Sequence, residues 1–173
     1  MNIVLLGYRG TGKSTLARLL AKKLDRKLFS TDQWIVKSAG MSIPQIVDKW
    51  GWCKFREMES RTIEEITRKE KNVVIDCGGG VVLDDQNVER LKKTGKTVLL
   101  TSDFDTLIKR IRNDSNRPSL KEGLSFEEEQ RQILAERREK YIAAADMVCD
   151  TTEKPPKQTV EEIIDYFSKQ TWI

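Results

Sequence analysis

The octapeptide Gly7-Tyr8-Arg9-Gly10-Thr11-Gly12-Lys13-Ser14 constrains this chain more than any other feature. It completes the pattern G-x-x-x-x-G-K-[ST] and lies between an apolar run at residues 3–6 and a segment with leucines at helical spacing. Glycines let backbone N–H groups turn inward around phosphate oxygens, and the N-terminus of the following helix adds about half a positive charge at the same point. Lys13 then reaches the β- and γ-phosphates and the Ser14 hydroxyl can ligate Mg²⁺, while Gly10, Thr11, Gly12 and Thr15 complete the cradle. Chance occurrence of the pattern in a chain of this length is on the order of one per cent, so a mere glycine-rich turn is the poorer reading. The motif specifies a nucleoside triphosphate but not the acceptor.

The rest of the chain repeats the same alternation. Short runs with apolar and β-branched residues at 27–30, 73–76, 97–101 and 147–149 are each flanked by longer, charged, amphipathic segments, which predicts a parallel α/β sheet. Leu16, Leu19, Leu20 and Leu24 form one apolar stripe after Lys13, and Leu107, Ile108 and Ile111 repeat the pattern. Ser42 reads as a helix N-cap with Pro44 in the first turn, and Gly51 interrupts before a second helix from about residue 53 to 69. These two helices are expected to form a hairpin between strands two and three. Residues 113–123 (NDSNRPSLKEG) lack apolar periodicity and read as a mobile loop, and 151–156 (TTEKPP) as a turn before the last helix.

Composition removes several classes of function. With 173 residues and 38% hydrophobic content, residues 1–173 are expected to form one domain. Lysine and arginine total 31 against 27 acidic residues, a formal charge of +4 that suits anionic ligands but is interleaved with acid rather than gathered into a nucleic-acid stripe. There is no histidine, so histidine proton transfer, histidine metal sites and Ser-His triads are excluded, and any general base is Asp, Glu, Lys, Tyr or Cys. Cys53, Cys77 and Cys149 lack metal-ligand spacing and read as reduced thiols of a cytoplasmic protein. The opening MNIVLLGYRG is unlike a leader peptide, and no stretch approaches the roughly 20 apolar residues of a membrane span.

Further features follow the phosphate loop in order. Ser30-Thr31-Asp32 ends the second strand; Phe55-Arg56-Glu57-Met58-Glu59 lies on a helix; Gly78-Gly79-Gly80 follows the third strand; Arg117-Pro118 lies in the irregular loop; and Glu136-Arg137-Arg138-Glu139-Lys140-Tyr141 lies on the helix after it. With these motifs the chain resembles shikimate kinases over nearly its whole length. The resemblance implies a three-layer α/β P-loop kinase fold with a central five-stranded parallel sheet, helices on both faces, substrate-binding helices at about 32–69 and a mobile lid at about 112–124. It further implies ATP as phosphoryl donor with Mg²⁺, shikimate as acceptor, and a monomer that engages neither nucleic acid nor membrane.

Carried over residue by residue, the resemblance gives Asp32 the acceptor hydroxyls and their proton, Arg56 and Arg137 the substrate carboxylate, and Gly78, Gly79 and Gly80 a close backbone approach to substrate. Arg138 is an off-by-one alternative to Arg137. Arg117 would fold over the transferring phosphate, Arg112 would pack on adenine, and Lys154 and Pro156 fall where the family's adenine loop sits. Taken singly, Asp32 reads equally as a helix N-cap, Arg56 and Glu59 as a solvated ion pair, and the triple glycine as a turn. Two positions depart from the family. Ser30 replaces the first Asp of Asp-Thr-Asp, and Ser119 stands where a Leu usually follows Arg-Pro. Asp76 ends the neighbouring strand, about 5 Å from the end of the second if the two pair, and is expected to supply at the metal the carboxylate that Ser30 lacks. The competing readings are a kinase of another small hydroxy acid, of the gluconate type, and a nucleotide-binding protein without transfer activity.

Overall fold

The apolar runs form five strands in the computed structural model, which describes residues 1–112 and 123–173. They are β1 (Asn2–Gly7), β2 (Leu28–Ser30), β3 (Val74–Asp76), β4 (Gly95–Thr101) and β5 (Met147–Asp150), joined in the order β2-β3-β1-β4-β5 with every pair parallel. All six residues of β1 are buried, as a central strand covered on both faces requires. Ile3 and Leu5 point to one face with α1 (Lys13–Lys23) and α7 (Pro156–Lys169), packing on Leu16, Leu20, Ile163 and Phe167. Val4 and Leu6 point to the other face. There they meet Ile63 and Ile66 of α3 (Ile43–Lys69), Leu91 of α4 (Asp85–Thr94) and Tyr141 of α6 (Phe126–Ala144). The three layers of the expected fold follow from this alternation.

The segment between β2 and β3 holds α2 (Thr31–Ala39) and α3, which share a small core of Ile35, Ile43, Ile46 and Phe55. Ser42 caps α3 with a full capping box to Gln45, and Gly51, at φ 79 and ψ 169, breaks it into the two expected helical halves. Between β4 and α6 lies α5 (Phe104–Ile111), whose Leu107, Ile108 and Ile111 pack with Tyr8 and with Ile133 of α6. The strand order reverses at β1, so the carboxyl ends of β1, β2 and β3 open onto one crevice, where open parallel sheets bind ligands. The loop at 113–123 and the lid at about 112–124 fall, apart from their edges, outside the described residues, and Arg117, Pro118 and Ser119 fall there entirely. Among the described residues no helix is long and apolar enough to cross a membrane.

Candidate active site

The phosphate loop is held by its own carbonyls. The Thr11 hydroxyl donates to Tyr8 O at 2.7 Å and Lys13 Nζ to the same oxygen at 2.8 Å. From outside the loop, Arg110 Nη1 donates to Gly10 O at 3.1 Å, and the Thr151 hydroxyl to Thr11 O at 3.1 Å. Arg110 is in turn fixed by a 3.1 Å bond from Nη2 to Thr151 O. A loop so tied can present its remaining polar groups to a ligand without paying for their ordering at binding.

A cavity of about 470 Å³ opens over the loop, lined among others by Arg9, Lys13, Ser14, Ser30, Asp32 and Asp76. Ser30 and Asp76 are direct neighbours in the β2–β3 register, and Asp76 is also opposite Leu5 of β1. Ser30 Oγ accepts the Gln33 N–H at 3.5 Å and is the N-cap of α2, so Asp32 stands in the first helical turn and not at the cap. The buried Thr31 hydroxyl joins the two strand ends: it accepts the Gly78 N–H at 2.9 Å and donates to Asp76 O at 3.4 Å. Next to Asp76, burial and then the aspartate charge push the Cys77 thiol well above its ordinary range, so it stays protonated and is no nucleophile.

The three glycines are fitted to their neighbours. A Cβ on Gly78 would come within 2.7 Å of both Asp32 Oδ1 and Glu59 Oε1, and one on Gly80 would lie on top of the Arg56 guanidinium. Arg56 and Glu59 form an ion pair at 2.5 Å in which the Glu59 side chain is 1% exposed, which separates it from an ordinary solvated pair. The Arg56 guanidinium also rests against the rings of Trp52 and Phe55, 5.5 and 5.2 Å from their centroids. On the opposite side the Gly79 carbonyl accepts from Arg137 Nη1 at 3.0 Å and from the Tyr141 hydroxyl at 2.5 Å. Burial drives the Tyr141 phenol upward, which keeps it a donor. Arg137 is buried, whereas Arg138 is exposed and lines a separate, mostly apolar cavity.

Asp32, Arg56, Gly78, Gly79, Gly80 and Arg137 thus gather around one turn beside Lys13 and Ser14. Two expected nucleotide contacts lie elsewhere. Arg112 is exposed and donates from Nη2 to Glu127 at 3.0 Å. Lys154 binds Glu162 at 2.9 Å and, with Pro156, lines a second cavity of about 240 Å³ on the outer side of the loop, shared with Gly12, Thr15 and Arg110. Of the two arginines at the end of α5, the one that reaches the loop is therefore Arg110, which no motif marks. Only the placement of α5 over Gly10, a tertiary fact, distinguishes it from Arg112. Thr31 is likewise marked in the sequence only as part of a motif, and its buried bridge has no sequence signature.

A family model for shikimate kinase matches residues 9–168. The shikimate kinase of Caldicellulosiruptor bescii is 39% identical over 163 residues, covering 94% of this chain and 93% of its own. Among solved structures, shikimate kinase from Acinetobacter baumannii in complex with shikimate is similar at a TM-score of 0.92 and 30% identity, over 98% of this chain and 93% of that one. Shikimate kinase from Aquifex aeolicus is similar at a TM-score of 0.82 and 31% identity, over 99% of both chains. Since the likeness runs from the phosphate loop into the last helix in sequence and over the whole sheet in structure, the chain belongs to the shikimate kinase family.

Proposed function

We propose that this chain transfers the γ-phosphoryl group of ATP to a hydroxyl of shikimate, giving shikimate 3-phosphate and ADP. One observation carries the reading beyond family membership: a carboxylate and two arginines converge on Gly78–Gly80 at the edge of the cavity that holds the phosphate loop. A small hydroxy acid needs those groups, a cationic pair for its carboxylate and an anion for its hydroxyls. In this reading Arg56 and Arg137 clamp the carboxylate, Asp32 orients the attacking hydroxyl and takes its proton, and Lys13 bears charge on the transferred group. Arg117 would add charge from the lid. Arg110, Arg112 and Lys154 are left to the nucleotide, Arg110 nearest the loop. Transfer is in line and loose, so positioning supplies most of the rate. All these groups come from one chain, which acts as a monomer.

The oxygen donors around the cavity fit Mg²⁺. Mg²⁺ keeps several waters and takes one or two protein oxygens plus substrate phosphates, so the absence, among the described residues, of a cluster of three or more acidic or thiol ligands is no obstacle. Ser14 and Asp76 would hold it, Ser30 being occupied as a helix cap. Once bound it neutralises charge on the transferred group. Replacing Asp76 by Ala is therefore expected to raise the Mg²⁺ concentration for half-maximal rate by about 10- to 100-fold. A magnesium titration of the variant that overlays the wild type would refute the exchange of Ser30 for Asp76.

The deciding experiment is ADP release by the purified protein with MgATP, with shikimate, gluconate or a nucleoside monophosphate as acceptor. Release that depends on shikimate alone supports the reading. Release with gluconate instead would make it a kinase of another hydroxy acid, and ADP binding without release under any acceptor would make it a nucleotide-binding protein.

A further inference from the structure

Arg9 is the third cation of the phosphate cavity, beside Lys13 and Arg110. The other two each hold a loop carbonyl. Arg9 is supported differently. Its guanidinium stands over the ring of Phe126, the first residue of α6, 5.4 Å from the centroid, and its Nε is buried with no hydrogen-bond partner among the described residues. An aromatic face steadies a cation without satisfying its N–H groups, and a desolvated N–H with no acceptor is costly to maintain. No described residue supplies that acceptor, whereas an oxygen of a reactant entering the cavity can.

Two anions enter this cavity, the polyphosphate and the substrate carboxylate. Arg9 springs from the loop that cradles the phosphates, and its backbone nitrogen lies 3.8 Å from where a Gly79 Cβ would stand. It therefore occupies the seam between the nucleotide side and the acceptor turn, while Arg56 and Arg137 flank that turn at Gly80 and Gly79. We infer that Arg9 is a further catalytic residue, donating a hydrogen bond to a non-bridging oxygen of the phosphoryl group as it passes from ATP to the acceptor. The inference rests on the kinase reading above. In the step, the bond from phosphorus to the ADP oxygen breaks, the bond to the acceptor oxygen forms, and the hydroxyl proton passes to Asp32. Arg9 takes no part in the proton transfer and contributes only charge and direction.

The test compares wild type with Arg9→Ala, Arg9→Gln and Arg9→Lys for kcat, for KM of both substrates and for ADP affinity at equilibrium. Removing the charge, as Ala or as the near-isosteric Gln, is expected to lower kcat by about 100-fold, the loss typical of one transition-state donor, with ADP affinity and shikimate KM near wild type. Added guanidinium ion should restore part of the Arg9→Ala rate, and Arg9→Lys should fall between. Unchanged kcat in Arg9→Gln overturns the inference. So does a loss carried by shikimate KM, which would assign Arg9 to the carboxylate, or a matching loss of ADP affinity, which would make it a prop of the loop. A wild type with no acceptor-dependent turnover sinks the kinase reading, and this inference with it. An active wild type with an equally active Arg9→Gln sinks this inference alone.

Discussion

Asp32→Asn is expected to lower kcat for shikimate by about 100- to 10,000-fold, the range for losing a positioned proton acceptor, while ADP binds as before. The substitution keeps the shape of the side chain and one of its oxygens and removes the charge. The competing account makes Asp32 a helix-start residue. In the structure Ser30 takes the cap of α2, and Asp32 follows in the first turn. An acidic residue there is worth about 0.3–1 kcal/mol through the helix dipole. For a chain of this size that corresponds to a fall in Tm of a few degrees at most, at about 2–4 °C per kcal/mol. The two accounts therefore separate in two measurements. Thermal unfolding should move little, and single-turnover transfer should nearly vanish. A variant that transfers phosphate at close to the wild-type rate would remove Asp32 from the chemistry and leave it as part of the helix start. Asp32 also lies 2.7 Å from the Cβ that Gly78 lacks, so Gly78 is a glycine partly for the sake of this carboxylate.

The sheet was legible because its inner strands β1, β3 and β4 are largely buried, which leaves short apolar runs between amphipathic segments, and the runs of the more exposed edge strands β2 and β5 keep the same alternation, so all five runs became strands. The phosphate loop was legible because its chemistry is local: backbone amides, a lysine and a hydroxyl within eight consecutive residues. The choice between Arg137 and Arg138 was open in the motif; helix phase puts Arg137, and not Arg138, on the side of the glycine turn. Ile133, Arg137 and Tyr141 recur every four residues on the buried face of α6. Other features depend on contacts across long sequence separations. Gly80 is confined by Arg56, Arg110 reaches Gly10, and the Tyr8 hydroxyl donates to the buried Gln130 at 2.6 Å. A polar residue such as Gln130 reads as surface in any hydropathy pattern. Ser30 shows the same limit from the other side. A motif marks it as a missing carboxylate, while the structure gives it a hydrogen-bonding task of its own and puts Asp76 at its flank.

Arg137→Ala is expected to raise the shikimate KM by about 30- to 3,000-fold, with ATP KM little changed. Truncating one partner of a buried charge pair costs about 2–5 kcal/mol, and each 1.4 kcal/mol is a factor of ten in affinity. Arg137 also holds the Gly79 carbonyl, so its loss alone would not distinguish a carboxylate clamp from a prop for the glycine turn. Two companions make the distinction. Arg138→Ala, one residue along on the exposed face, should leave both KM values at wild type. Gly80→Ala leaves Arg137 and Tyr141 in place and acts on the other arginine. Gly80 has φ −101 and ψ −1, which alanine adopts without strain, so its methyl group acts only by pushing the Arg56 guanidinium aside. Fold and ATP KM should survive, because a flexible side chain can swing out where backbone cannot. Shikimate KM should rise as it does in Arg137→Ala, since a carboxylate held by two arginines loses its geometry when either moves. If Gly80→Ala keeps the wild-type shikimate KM, Arg56 does not hold the substrate from its place beside Gly80. If Arg137→Ala lowers Tm and kcat but spares shikimate KM, the acceptor carboxylate is bound somewhere other than the Gly79 turn.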